Sequence, residues 1–239
     1  MKTRRMAGVG AILAMASCGG SASPGAPTTS GDTGGLPAMY QKFYGVQVSL
    51  EGTTVVLRAT SVPDHKSPYF AAGSALYETP APGMAVNPHH IEAQALVFRV
   101  PASPQAGAPS DTNLGPIGVA VNGVAFFNQY AAGRTPLDDE IRSFDRYNGH
   151  PAPMNIYHYH MEPLYLTAQG SSRLLGVLLD GFPVYGTQDA DGTRPGDLDA
   201  CNGHVRATAD FPAGIYHYHV VATPPYISGC FRGTPGARG

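Results

Sequence analysis

The tetrapeptide Tyr-His-Tyr-His occurs twice in this chain of 239 residues, at 157–160 and at 216–219. Successive side chains of a β-strand point to opposite faces, so both histidines of each copy face one way and both tyrosines face the other. These two stretches contain four of the nine histidines in the protein. Each copy therefore predicts a strand that presents two neighbouring imidazoles on one face.

The two copies are part of a longer internal repeat. The matching pairs are Asn122-Gly123 with Asp180-Gly181, Asn148-Gly149-His150 with Asn202-Gly203-His204, and the two tetrapeptides. Each unit predicts a hairpin with an Asn-Gly or Asp-Gly turn, then an Asn-Gly-His loop, then the Tyr-His-Tyr-His strand. Two units, at about 115–165 and 173–225, indicate a duplication with a pseudo-twofold core. We expect the two strands to lie close together, with their histidines facing one shared cavity.

The rest of the chain favours an all-β fold. It contains 30 glycines and 22 prolines, and short apolar runs recur between turn residues without helical periodicity. The candidate strands before the repeat are Phe43–Leu50, Thr54–Thr60 and Ile91–Val100, and Leu137–Phe144 is a candidate short helix. Pro183 cannot donate to a ladder, so its strand is expected at an edge or a bulge. The prediction is one domain over 38–239, mainly antiparallel and sandwich-like, with few short helices.

The N-terminus has the features of an export signal. Lys2, Arg4 and Arg5 precede the apolar run 6–16, which is shorter than the roughly 20 residues that span a bilayer. Met15-Ala16-Ser17-Cys18 resembles the lipobox of bacterial lipoproteins, which implies that residues 1–17 are cleaved and that Cys18 carries lipid. An ordinary secretory signal cut nearby is the alternative. Residues 18–37 are expected to form a flexible tether rich in Gly, Ser and Pro, so the protein would be exported and membrane-anchored in the cell envelope.

Charge and cysteines narrow the possible functions. Loss of residues 1–17 removes three positive charges and moves the formal charge from −2 to −5, and no basic cluster indicates a nucleic-acid partner. With Cys18 assigned to lipid, Cys201 and Cys230 are most simply a disulfide in an oxidising compartment, with metal ligation as the alternative. The chain has no Gly-X-Ser-X-Gly elbow and no Gly-rich phosphate loop, which argues against nucleophilic catalysis.

Several stretches resemble the YHYH-domain protein family. They are LGPIGVAVNGVAFFN, YNGHPAPMNIYHYHMEP, LLGVLLDGFPVYG, LDACNGHVRATADFPAGIYHYHV and PPYISGCFRG, within a resemblance that covers about residues 45–234. The family is defined by its motif and largely lacks an established activity, so the resemblance implies no reaction. Members often carry cysteines at the position of Tyr147 and near that of Leu164. The resemblance implies that this chain has lost that pair and retained Cys201 and Cys230.

The histidines form two matching triplets. They are His150, His158 and His160 in the first unit, and His204, His217 and His219 in the second. His-X-His on a strand with a third histidine from a loop can offer neutral imidazoles to one ion. Two His₃ sites, one His₄ site and a bridged pair of ions all fit the pattern. His65 is a candidate additional ligand or a surface residue, and His89 and His90 are expected in an exposed loop.

The pattern predicts an exported metal-binding protein. Imidazole ligation outside the cytoplasm favours copper on affinity order, with zinc as the alternative, and PAGIYHYH is similar to a histidine strand of multicopper oxidases. Asp145, Asp180 and Asp199 are candidates to orient the imidazoles or to act as a base. Asp189, Asp191 and Asp197 form an acidic loop that suits calcium or, more simply, a solvated turn. The alternatives are a metal-dependent hydrolase or oxidoreductase with the same histidines, and a structural or interaction domain in which Tyr and His form a β ladder.

Overall fold

The structure is a computed structural model that describes Met1 and residues 35–239. Residues 2–17 of the predicted signal peptide, Cys18 and most of the predicted tether therefore lie outside the described residues. Within residues 35–239, no helix is long and apolar enough to cross a membrane.

The described chain consists mainly of short strands, which confirms the predicted all-β class. The strands are β1 (Val46–Glu51), β2 (Thr54–Ala59), β3 (Leu96–Pro101), β4 (Ser110–Asp111), β5 (Pro116–Ala120), β6 (Ala125–Phe127), β7 (Gly149–Ala152), β8 (Ile156–Tyr159), β9 (Leu174–Leu178), β10 (Pro183–Tyr185), β11 (Gly203–Arg206), β12 (Ile215–His219), β13 (Cys230–Phe231) and β14 (Ala237–Arg238). One α-helical turn, α1 (Leu164–Thr167), and 3₁₀ turns at Ala38–Lys42, Ala132–Arg134, Glu140–Ser143 and Pro153–Asn155 complete the elements.

The strands form a sandwich-like arrangement. A four-stranded sheet has the order β1-β2-β3-β14, an eight-stranded sheet has the order β11-β12-β10-β9-β5-β6-β8-β7, and β13 pairs with β4. Most neighbours are antiparallel, whereas β6–β8 and β10–β12 are parallel. One hydrophobic core joins Val55 and Phe98 of the smaller sheet with Val119 and Val177 at the centre of the larger one. The two sheets therefore share their buried side.

The large sheet contains the same four-strand unit twice. Strands β5–β8 of the first unit correspond to β9–β12 of the second, and the sheet order reads the same from either edge. The units meet at the antiparallel pair β5–β9, which places a pseudo-twofold axis at that pair. The Tyr-His-Tyr-His strands β8 and β12 are second from opposite edges, five strand spacings or roughly 24 Å apart.

The expectation of a shared cavity is therefore wrong. The duplicated units join through their first hairpins, and this arrangement carries the two histidine strands to opposite sides of the sheet. A single His₄ site and a bridged pair of ions are both excluded by that separation. Two separate triads remain.

One local expectation is wrong, and another is confirmed in one of its two alternatives. The helix predicted over 137–144 is only the 3₁₀ turn Glu140–Ser143, and its first residues form a turn instead. Strand β10 is not an edge strand, because it lies between β9 and β12. Pro183 is tolerated because it begins the strand and β12 pairs only from Val184 onwards. The expected irregularity is present as a register shift between Val184 and Tyr185.

The Cys201–Cys230 disulfide is confirmed, with 5.0 Å between the two Cα atoms. It joins residues 29 positions apart and encloses both β11 and β12. The bond therefore connects the loop ahead of His204 to strand β13.

Two candidate metal centres

Each unit brings its three histidines together through one antiparallel hairpin. His150 of β7 is opposite His158 of β8, and His204 of β11 is opposite His217 of β12. The third histidine follows two residues later and lies on the same face of the sheet. All six side chains are buried. The ligand atoms of each group lie within 4.8 Å of one another: the first centre is His150, His158 and His160, and the second centre is His204, His217, His219 and Asp189.

The Asn-Gly-His loops have the same construction in both units. Asn148 and Asn202 adopt positive φ angles of 64° and 66°, which asparagine tolerates better than most residues. Asp145 Oδ1 accepts hydrogen bonds from the backbone N–H groups of Tyr147 and Gly149. Asp199 Oδ1 accepts the equivalent bonds from Cys201 and Gly203. These turns set the register that places each loop histidine opposite its partner.

Three carboxylates bind the tyrosines rather than the imidazoles. The Tyr157 hydroxyl donates to Asp145 over 2.7 Å, the Tyr216 hydroxyl to Asp199 over 3.1 Å, and the Tyr218 hydroxyl to Asp180. The four motif tyrosines belong to the hydrophobic core. The hypothesis that Asp145, Asp180 and Asp199 orient the histidines is wrong, because strand alternation puts these partners on the opposite face.

The tyrosine contacts need glycine at the loop position. A Cβ atom built on Gly203 would lie 2.1 Å from the Tyr216 hydroxyl oxygen, and one on Gly149 would lie 2.2 Å from that of Tyr157. Gly203→Ala should therefore lower the free energy of unfolding by about 1–3 kcal/mol, the usual cost of overpacking. Urea denaturation measures the change. Gly73→Ala is the control, because nothing lies within 4 Å of its Cβ position, and equal losses in the two variants would contradict the prediction.

Backbone carbonyls determine which ring nitrogen carries the proton. His158 Nδ1 lies 3.1 Å from the Ile156 carbonyl and His217 Nδ1 lies 2.9 Å from the Ile215 carbonyl. His160 and His219 place Nδ1 on the carbonyls of Asn128 and Gly186. A carbonyl only accepts hydrogen bonds, so each Nδ1 is the donor and each Nε2 of a neutral ring has a bare lone pair.

The bare nitrogens face each other at short range. His158 Nε2 is 2.8 Å from His160 Nε2, and His217 Nε2 is 3.0 Å from His219 Nε2 and 3.1 Å from His204 Nε2. Burial lowers the pKa of His150 to about 3 and the pKa values of His160 and His217 to about 4, and it holds that of His158 well below its usual value. His150, His158, His160 and His217 are therefore neutral near pH 7, and no proton separates the facing lone pairs of His158 and His160. A cation at the centre removes their repulsion.

In each centre, one carboxylate lies close to the loop histidine and to the last histidine of the Tyr-His-Tyr-His stretch. Asp189 Oδ1 is 3.1 Å from His204 Nε2 and 3.3 Å from His219 Nε2. Glu140 Oε2 is 3.6 Å from Nε2 of the equivalent residues, His150 and His160. Asp189 follows β10 and Glu140 follows the equivalent strand β6, so both carboxylates come from equivalent loops.

Neither carboxylate is predicted from the sequence as a member of a centre. The sequence indicates an acidic loop for calcium or for solvent at Asp189, and it puts Glu140 in the candidate helix without a role. Their position after the second strand of each hairpin was the available signal, although their offset of 49 residues differs from the repeat spacing. Asp197 contacts His204 Nδ1 over 2.8 Å and so supports the second centre from outside.

His65 joins neither centre. Its Nε2 is 2.9 Å from the Tyr159 hydroxyl and its Nδ1 is 3.0 Å from the Lys66 carbonyl, so it is a buried residue on the tyrosine side of β8. The suggestion that it is an additional metal ligand is corrected by this position. His90 is exposed, as expected, while His89 is half-buried beside the first centre.

Family comparison agrees with this arrangement. The model of a family described as YHYH protein matches residues 97–196 and 187–233, which together cover more than half of the chain. The chain belongs to the YHYH protein family. No curated protein and no solved structure matches it. In this YHYH protein, the matched segments contain all six histidines, Glu140, Asp189 and both cysteines of the disulfide.

Proposed function

We propose that this YHYH protein binds two divalent transition-metal ions, one at each centre. The observation that carries the proposal is the convergence of buried histidine Nε2 atoms 2.8–3.1 Å apart in both units. Burial of polar atoms without partners is costly, and facing lone pairs add repulsion. A bound cation removes both costs, because the nitrogen lone pairs then form ligand bonds to it.

The spacing of the nitrogens suits a shared ion. Imidazole nitrogens lie about 2.0–2.1 Å from zinc, so two ligands of one ion are separated by about 2.9 Å at a right angle and 3.4 Å at the tetrahedral angle. The 3.0 and 3.1 Å separations of the second centre lie within that range, and the 2.8 Å separation of the first centre lies slightly below it. In four of the six histidines, Nδ1 donates to a backbone carbonyl, and Nδ1 of His204 contacts Asp197. This is the usual way a ligating histidine is oriented.

Copper is the ion we propose first, because it leads the divalent affinity order for nitrogen sites. Asp189 gives a specific reason to name zinc as the second candidate. Three histidines and one carboxylate form a four-ligand set that zinc commonly takes in tetrahedral sites. Asp189 adds an oxygen donor to the imidazole ligands that favour copper.

We also propose that the domain works outside the cytoplasm, anchored through Cys18. The N-terminal charge pattern, the short apolar run and the small residues before Cys18 support this proposal. Cys201 and Cys230 also suit an oxidising compartment. Incorporation of labelled palmitate that is lost in Cys18→Ala is the test.

Metal content tests the main proposal. Protein purified without added metal and then dialysed against copper or zinc should hold two ions per chain by mass spectrometry of the elements. His158→Ala and His217→Ala should each hold one ion, and the double variant should hold none, because each variant removes a ligand from a different centre. Competition between the two metals identifies the preferred ion.

The matched controls are Tyr159→Phe and Tyr218→Phe. They change the next residue on the same strand but alter only the opposite face, where Tyr159 meets Asn122 and Tyr218 meets Asp180. Both should keep two ions. Wild-type protein without stoichiometric metal after loading would reject the proposal and favour a purely structural role for the histidines.

A further inference from the structure

The two centres differ in how completely the protein surrounds the ion. In the second centre, Asp189 lies within 3.8 Å of all three histidine Nε2 atoms, and its side chain is 6% exposed. Arg206 bonds to Asp189 and Asp197 and holds both carboxylates in place. Three histidines and a buried carboxylate supply four protein ligands, which is the pattern of closed structural sites.

Within residues 35–239, the first centre has three such ligands. Glu140 stands in the position equivalent to Asp189, but Oε2 remains 3.6 Å from His150 and His160, outside the group of ligand atoms that lie within 4.8 Å of one another. Its side chain is 32% exposed. Among the described residues, His150 Nε2 has no hydrogen-bond partner although the side chain is buried. Three histidines with an open position are the pattern of catalytic metal sites.

A cleft leads to this open position. Its volume is about 660 Å³, and the three histidines and Glu140 contribute to its wall. This volume is within the range of small-molecule sites, about 300–1,000 Å³. Leu114, Phe127 and Ala131 also line the cleft, so part of it can accommodate an apolar group. A ligand that enters the cleft reaches the metal ligands directly.

The charges around the cleft select against anions. Asp139 and Glu140 line it, while no lysine or arginine does so in the part of the chain that the structure describes. A phosphate or sulfate ester would meet two carboxylates and have only the ion to bind it. An uncharged substrate with an apolar group and one polarisable oxygen fits the lining better.

We propose that the first centre is hydrolytic and cleaves an uncharged ester or amide bound in the cleft, with Glu140 as the base that takes a proton from metal-held water. This inference rests on the metal binding proposed above. The reaction involves no change in oxidation state, so either divalent candidate can support it. The second centre has no open position for this chemistry and serves to stabilise the fold.

The reaction follows from the positions of the groups. A bound ion would supply a water molecule of lowered pKa, and Glu140 would accept one of its protons as an O–H bond breaks. The water oxygen would then attack the substrate carbonyl carbon, and the electron pair of the C=O bond would move to the carbonyl oxygen. As that pair returns, the bond to the alcohol or amine would break, and the leaving group would take the proton from Glu140. Water and an ester thus give a carboxylic acid and an alcohol.

The test measures metal content and hydrolysis on the same samples. Protein loaded with zinc should cleave 4-nitrophenyl acetate faster than metal-free protein, and it should not cleave 4-nitrophenyl phosphate. Glu140→Gln should lower kcat by about 10²–10⁴-fold, the usual contribution of a general base, and should still hold two ions. Asp138→Asn is the control, since this exposed carboxylate of the same loop does not line the cleft; it should leave kcat unchanged.

Asp189→Asn is the comparison variant, because it removes a metal ligand of the second centre. It should weaken the binding of the second ion. If Glu140→Gln likewise loses an ion, Glu140 is a ligand and the proposal is overturned. Wild-type protein that holds two ions but releases no nitrophenol also overturns it and leaves metal binding intact. Protein that holds no ion rejects both. Cleavage of the phosphate at a rate similar to that of the acetate would contradict the proposed substrate class.

Discussion

Removing bound metal should lower the melting temperature by about 10 °C for each centre that is emptied. An ion that binds only the folded state stabilises it by RT ln(1 + [L]/Kd), about 4 kcal/mol at a thousandfold excess over Kd. In a domain of this size, each kcal/mol shifts the melting temperature by roughly 2–4 °C. Without metal, the Nε2 atoms of His158 and His160, and those of His217 and His219, stay buried and facing each other, which is unfavourable. Differential scanning calorimetry with and without a chelator measures the shift.

The histidine variants show how much of the shift in melting temperature comes from each centre. His158→Ala should respond to chelator with about half the wild-type shift, because only the second centre is left to bind metal. Tyr159→Phe should respond like the wild type, since its hydroxyl bonds to Asn122 and His65 on the other face. A wild-type protein that melts at the same temperature with chelator, copper and zinc would show that the histidines act only as a ladder of packed rings.

Removing the disulfide should lower the free energy of unfolding by about 3.5 kcal/mol. Cys201 and Cys230 are separated by 29 residues, and the chain-entropy relation gives this value for a loop of that length. We expect Cys201→Ala combined with Cys230→Ala to lower the urea midpoint accordingly. The loop contains β11 and β12 with all three histidines of the second centre, so this variant should also bind the second ion more weakly than the first.

Reduction supplies the control for the disulfide. Dithiothreitol should destabilise the wild type by a similar amount, and it should have no effect on the double variant, which has no bond to reduce. An unchanged urea midpoint after complete reduction would mean that packing around β13, rather than the covalent link, holds this part of the chain.

The histidine triads could be predicted because they depend on local rules. Alternation along a strand puts His158 and His160 on one face, and the short Asn-Gly-His turn returns His150 to the same hairpin. The repeat then applies the same reasoning to His204, His217 and His219. Only the sheet order was needed to know whether the two groups meet.

Strand order could not be predicted from the sequence, because it depends on contacts between segments that are distant along the chain. The duplication indicates that two units are equivalent, but their apolar strands do not reveal which edges join. In the structure β5 pairs with β9, so the hairpins rather than the histidine strands meet at the centre. Asp189 and Glu140 were missed for a related reason, since loops lack the periodicity that assigns a side chain to a face. Asp145, Asp180 and Asp199 lie near the histidine motifs along the chain, but this nearness in sequence does not place them near the imidazoles in space.

The sheet order is the same when read from either edge, and this symmetry affects how substitutions act on the two centres. The two centres share no strand and no ligand, and about five strand spacings separate them. A substitution that opens one centre therefore leaves the ligands of the other untouched. Duplication within one chain therefore allows one centre to keep the domain folded while the other centre changes its chemistry. The difference between the buried ligand Asp189 and the more distant Glu140 is the difference that such a change would produce.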